Sequence, residues 1–265
     1  MGADYMIELE CRPKQQLTAD GIVAKLKARS QAEAVLEMAR ANGDRRPPSE
    51  ITFTTVLMRP QGRTEVEVSV QALLDQAAVL TACEAECRRC PARPDAEAFG
   101  CKGYVNYPVQ AATEQWLMSR LPDTLDGIAG HLLKSAVKDL GWDGSYTANM
   151  RAQGDTFFES RTPITRKWGG LFSRFVLTSD QLWQMMFGLG SLQPSHCGMV
   201  SLFLGLPSHQ EMIGTAPPET TLALIQAEAA RLIASGSGTQ TATMARFVGA
   251  MAVAAALDVS LFIDG

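Results

Sequence analysis

The amino-acid sequence predicts an α+β protein: a small N-terminal sheet with helices, then a cysteine-rich module, then a mainly helical C-terminal portion. Three patterns carry that expectation. Apolar residues alternate over "DYMIELEC" and across "ITFTTVLMRPQGRTEVEVSV", which is the period of a half-buried strand. They recur at helical spacing through most of the remaining chain. Four of the six cysteines fall between residues 83 and 101. The three parts are expected over residues 1–82, 83–108 and 109–265.

Taken in order, Tyr5, Ile7 and Leu9 alternate with polar neighbours, so the chain opens on a strand. In "SQAEAVLEMARANGD", Ser30 and Glu33 make a capping-box pair, Ala34, Val35, Met38 and Ala39 share a helical face, and Gly43 supplies a stop. The β-rich runs on either side of "RPQGR" predict a hairpin, with Val66, Val68 and Val70 alternating in its second strand. Leu73, Leu74, Ala77 and Leu80 then carry a helix to Cys83 and on towards Cys87. Beyond Cys101 an extended piece leads to a helix with Ala112, Trp116 and Leu117, stopped by Pro122. "TLDGIAGHLLKSAVKDLGWDG" is expected to be helical up to the Gly-rich stretch after Leu140. "TSDQLWQMMFGLG" starts at Thr178 with Gln181 in capping-box position, and "ETTLALIQAEAARLIASGSG" ends at Gly236. The most apolar stretch, Phe247 to Ile263, is broken by Asp258 and falls short of the about 20 residues that span a bilayer, so it predicts a buried helix followed by a strand. "RPPSE" and "SGSGTQT" read as connections.

With 46% hydrophobic and 20% charged residues in 265, the chain has the composition of a folded domain rather than a disordered one. A net charge of −4 excludes a whole-surface footprint for polyanions and leaves only a local basic patch. The first fourteen residues, "MGADYMIELECRPK", scatter charges where a signal peptide needs an apolar run, and Met6 breaks the myristoylation pattern. A cytoplasmic protein without a membrane partner is expected. In that compartment clustered thiols are ligands or redox groups more often than disulfides.

The cysteines are spaced Cys83, x3, Cys87, x2, Cys90, x10, Cys101. On one continuous helix the first and third would lie roughly 10 Å apart along the axis, whereas tetrahedral zinc needs its sulfurs within about 4 Å of one another. Pro91, Pro94 and Gly100 supply the breaks that would let four thiolates converge. A four-cysteine centre of zinc or iron–sulfur is therefore expected. The competing reading is that the thiols pack as small hydrophobes.

Two local resemblances bear on this stretch. Cys83, Cys87 and Cys90 form a C-x3-C-x2-C triplet that resembles radical S-adenosylmethionine enzymes, which implies a cluster with one open iron. Arg89 stands where those enzymes usually carry an aromatic residue, and the residues beyond the triplet read as helical rather than as alternating strands and helices. "CRRCP" with the later "GC" is similar to the cluster loop of adenine-mismatch DNA glycosylases, which implies likeness of loop chemistry over some nineteen residues and no more.

A second candidate lies downstream. "FFESRTPITRKWGGLFSRF" interleaves Arg161, Arg166, Lys167 and Arg174 with Phe157, Phe158, Trp168, Phe172 and Phe175, and Arg151 lies just upstream. Cations among aromatics suit phosphate contacts with base stacking, while the plainer arrangement has the rings in the core and the cations reaching water. His196 beside Cys197 makes a poor dyad, since adjacent side chains point apart; His131 and His209 complete the histidines. Glu33 and Glu37, one turn apart, fit a solvated helix face. No nucleophile elbow, H-E-x-x-H, P-loop or dinucleotide fingerprint occurs.

The favoured function is a metal- or iron–sulfur-binding protein whose centre joins two parts, an adaptor or component of a larger assembly with a protein partner. The first alternative is an enzyme acting on a nucleic acid or nucleotide through the basic and aromatic segment. The second is a redox or radical iron–sulfur enzyme.

Overall fold

The computed structural model describes residues 2–59, 62–169, 174–187, 191–206 and 218–264. Its helices and strands make an α+β protein in two compact units, Met1–Leu9 with Pro91–Gly265, and Glu10–Cys90. No helix among the described residues is long and apolar enough to cross a membrane.

In the first unit the opening strand β1 (Gly2–Ile7) is central to an antiparallel sheet, between β4 (Lys102–Asn106) and β7 (Leu261–Asp264). Tyr5 stands in register with Gly103 on one side and Ile263 on the other. The first strand therefore pairs with the middle and the end of the chain, and the N-terminal sheet read from the sequence is corrected. The hairpin after it forms a separate two-stranded sheet. Gly103 is required where it is: a Cβ there would collide with the Tyr5 ring and hydroxyl, and that ring packs edge-on to Phe247 at 5.0 Å.

Phe247 belongs to α11 (Thr239–Ala256), which is buried at every residue from Phe247 to Ala254. A helix that is apolar all round can only be a core element, as the sequence predicts. It ends in a Schellman motif: Val259 N–H donates to Ala254 O at 3.0 Å and Asp258 N–H to Ala255 O at 3.2 Å, with Asp258 left-handed at φ 55°. The turn releases the chain into β7. Helices α9 (Pro194–Phe203) and α10 (Pro218–Ser235) pack against α11.

The middle of this unit holds α5 (Ala111–Arg120), α6 (Ile128–Asp139), α7 (Ser145–Arg151), the hairpin β5 (Thr165–Trp168) and β6 (Phe175–Thr178), and α8 (Ser179–Phe187). The expected capping box forms: Thr178 N–H donates to Gln181 Oε1 at 2.9 Å and Gln181 N–H to Thr178 Oγ1 at 3.2 Å. Helix α5 buries Thr113, Glu114, Leu117 and Met118, not the Ala112 and Trp116 side of the helix. Its face is set by a buried ion pair that apolar periodicity cannot register.

The second unit begins with α1 (Arg12–Leu17) and α2 (Ala19–Ala41). The latter starts well before Ser30, because Thr18 Oγ1 already caps it by accepting from Gly21 N–H at 3.1 Å. Ser30 and Glu33 lie inside a running helix and make no cap. Gly43 does stop it, left-handed at φ 80°, with Asp44 N–H donating to Ala39 O at 2.9 Å. A 3-10 turn at Pro48–Glu50 leads into the hairpin β2 (Thr52–Arg59) and β3 (Gly62–Ser69), whose register runs from Thr52↔Ser69 to Arg59↔Gly62. Pro60 and Gln61 of the expected turn lie outside the described residues. Helices α3 (Val70–Ala77) and α4 (Leu80–Cys87) complete the unit, whose core joins Ala32, Ile51 and Val70 with Leu36, Phe53, Leu73 and Leu74.

Candidate functional site

The expected cysteine centre does not form. Among the described residues no group of three or more His, Cys, Asp or Glu side chains is placed to hold a metal ion. Helix α4 does deliver Cys83 and Cys87, but both are buried, 5% and 6% exposed, on the face where Leu80 also lies. At i and i+4 they pack as the small hydrophobes that thiols resemble. Cys90 is half-buried two residues past the helix C-cap, and Cys101, also half-buried, belongs to the other unit. Cys83 and Cys87 thus lie on a helix face, Cys90 in a turn and Cys101 at a strand entry, and with no metal-holding group among the described residues the expected metal-centred adaptor function, built on Cys83, Cys87, Cys90 and Cys101, is withdrawn.

The basic and aromatic segment divides into two groups. Arg151 is buried: its guanidinium meets Glu114 Oε1 at 2.6 Å and Asp180 Oδ1 at 2.7 Å, donates to Ser160 O at 2.6 Å, and lies 4.1 Å from the centre of the Phe158 ring. It holds α5, α7 and α8 together and is not presented to a ligand. Arg166 caps the end of α5, donating to Met118 O and Leu121 O at 2.8 Å each and to Asp123 Oδ1 at 2.9 Å. Trp168, 7% exposed, donates through Nε1 to Pro122 O at 2.8 Å, and Arg166 sits 5.0 Å over its ring. Arg161, Lys167 and Arg174 are exposed, and Arg161 has a loose partner in Asp155 at 3.9 Å. Phe172 lies outside the described residues.

Arg166 and Trp168 together fasten the β5–β6 hairpin to the chain leaving α5. Between the two lies a cleft of about 480 Å³, whose lining includes Asp123, Leu125, Asp126, Lys134, Lys167, Trp168 and Phe175. Its volume falls within the range of small-molecule sites. Lys134 comes from α6 and Lys167 from β5, so cations approach from two elements. Gly130 on α6 is what admits the opposite wall, since a Cβ there would collide with the Leu125 backbone. Asp123 is already paired with Arg166. Counting that pair as neutral leaves Lys134 and Lys167 against Asp126, a net of one positive charge.

No family model, curated protein or solved structure matches the chain.

The other candidates are structural. His196 Nε2 is 2.6 Å from Met185 O and its ring packs edge-on to Trp142, and burial holds it below the ordinary imidazole value. Cys197 beside it is fully buried, and its thiol is pushed up to about 12 by desolvation, so it is no nucleophile at neutral pH. His131 is exposed and His209 lies outside the described residues. Glu33 and Glu37 are both exposed on α2, as a solvated face requires. What sequence reasoning missed is the part played by Lys134, Asp126 and Leu125. The only available signal was a Gly on the apolar face of α6, one turn before Lys134.

Proposed function

We propose that the chain binds a small anionic molecule, of the phosphorylated or similarly charged class with an apolar or planar part, in the cleft between the α5–α6 connection and the β5–β6 hairpin. The observation that carries this reading is the convergence of Lys134 and Lys167 on a cleft of about 480 Å³ walled by Leu125 and Trp168. An anion gains from two ammonium groups held on separate elements, and a flat or apolar body packs on the half-buried Phe175 beside the edges of Leu125 and Trp168. Asp126 sets a limit: it disfavours high negative charge and accepts a hydroxyl or amino donor from the same ligand. A long polynucleotide is a poorer fit, because Arg151 and Arg166 are consumed in holding the fold and only Lys167, Arg161 and Arg174 of that segment face water.

Isothermal titration with adenosine monophosphate and with inorganic phosphate tests this. Saturable binding of the nucleotide that weakens about tenfold in the Lys134→Ala/Lys167→Ala double variant is the expected result, a tenfold change being about 1.4 kcal/mol. Equal binding by the double variant, or no heat from either probe at millimolar concentration, refutes the reading.

A further inference from the structure

A second cavity lies elsewhere in the larger unit and has the opposite chemistry. It is an open hollow of about 670 Å³ where the end of β4 meets the start of α11, and its lining includes Asn106, Tyr107, Gln110, Glu159, Thr239 and the nearly buried Gln240. No Lys or Arg is among the lining residues, and Glu159 is the one carboxylate there.

Gln240 is only 9% exposed, with both ends of its amide in use. Its Nε2 donates to Pro108 O at 2.7 Å and Asn106 O at 3.3 Å, and its Oε1 accepts from Gln110 N–H at 2.6 Å and Thr113 Oγ1 at 3.0 Å. One side chain thus sets the path of residues 106–110. On the wall, Tyr107 is held edge-on by Phe157 at 5.4 Å. Glu159 accepts from Ala111 N–H at 2.8 Å through Oε2, which fixes the direction of its carboxylate. Rigid placement of this kind is what a specific polar site requires.

The class of ligand follows by elimination. An anion meets a carboxylate and no cation. A wholly apolar ligand strands the amides of Asn106 and Gln110 and the Thr239 hydroxyl without partners, which is costly once water is displaced. An ammonium ion would rely on Glu159, which is exposed and already shares charge with a backbone N–H, so its pull is weak. A neutral polyhydroxyl molecule fits every group: each hydroxyl both donates and accepts, Glu159 takes donors, the amides and Thr239 serve either way, and Tyr107 offers an apolar ring. We infer that this cavity binds a neutral polyhydroxyl ligand of the monosaccharide or cyclitol class.

Saturation-transfer NMR on the full chain, with D-glucose and myo-inositol as probes, tests the inference at the millimolar affinities such sites show. Transfer to at least one probe is expected, reduced fivefold or more in Tyr107→Ala and in Thr239→Val, and unaffected by tetramethylammonium chloride. Thr239 is exposed, so its variant reads binding even if Tyr107→Ala folds poorly. Absence of transfer to both probes, equal transfer in Thr239→Val, or displacement by tetramethylammonium each overturns the inference, the last in favour of a cation site.

Discussion

Replacing Arg151 with Met removes the single cation of a buried cluster while keeping much of the side-chain volume. The guanidinium is 3% exposed and its partners are 0% (Glu114) and 7% (Asp180) exposed, so water cannot take its place. Lost with it are two contacts to Glu114 at 2.6 and 3.1 Å, two to Asp180 Oδ1 at 2.9 and 2.7 Å, and one to Ser160 O at 2.6 Å. Ser179 Oγ still donates to Glu114 Oε1 at 2.8 Å, which leaves Asp180 the worse served of the two carboxylates. Stranding buried charge in this way costs about 3–5 kcal/mol. At about 2–4 °C per kcal/mol for a protein of this size, the melting temperature should fall by about 6–20 °C. Urea unfolding followed by far-UV circular dichroism measures the loss directly. The triple variant Arg151→Met/Glu114→Gln/Asp180→Asn should recover a good part of it, because no charge is then left uncompensated. Arg161→Met is the comparison: Arg161 is 80% exposed with its partner at 3.9 Å, and its replacement should change stability by less than about 0.5 kcal/mol. A loss below about 1 kcal/mol for Arg151→Met would refute the reasoning that this cluster holds α5, α7 and α8 together.

Four further outcomes are expected. A strong chelator should leave the melting temperature in differential scanning fluorimetry unchanged, since α4 packs Cys83 and Cys87 as core; a drop on chelation would restore the metal reading. Gly130→Ala should destabilise despite alanine's better helix propensity of about 1 kcal/mol, because the new methyl meets the Leu125 backbone; a gain in denaturant midpoint would contradict this. Gln240→Leu should cost about 1–3 kcal/mol by leaving the Gln110 N–H and the Pro108 carbonyl unmet, and an unchanged urea midpoint would count against the bracing described for residues 106–110. Burial depresses the imidazole of His196, so as pH falls below about 6.5 the unfolded chain takes up this proton before the folded one. His196 therefore contributes a stability loss on acidification from pH 7 towards 5.5. His196→Gln should show a shallower loss over that window, and identical slopes would show that the histidine plays no part.

Local signals were legible wherever one short segment contains its own physical cause. The hairpin at β2 and β3, the Gly43 stop, the Thr178 and Gln181 capping box and the buried helix turning at Asp258 into a strand all follow from residues within a few positions of one another. Legibility failed where the cause lay far along the chain. Helix α5 turns Glu114 inwards because Arg151 and the Ser179 hydroxyl wait there, and β1 finds its neighbours at residues 102–106 and 261–264.

The cysteines mark the boundary between the two kinds of information most clearly. Their types and spacing are written in the sequence, and a helix running into Cys83 and Cys87 was readable from it. Whether four thiols meet depends on where the chain goes after Cys90, where it turns and, past Cys101, enters β4. The candidate cleft makes the same point: its lysines stand on α6 and β5, and only the packing that Gly130, Arg166 and Trp168 permit brings them to one opening. Sequence by itself determined the α+β class and most element positions, because backbone preference and apolar period act over a few residues. Tertiary structure alone decided which side chains share a site, because burial and long-range pairing set which faces turn inwards.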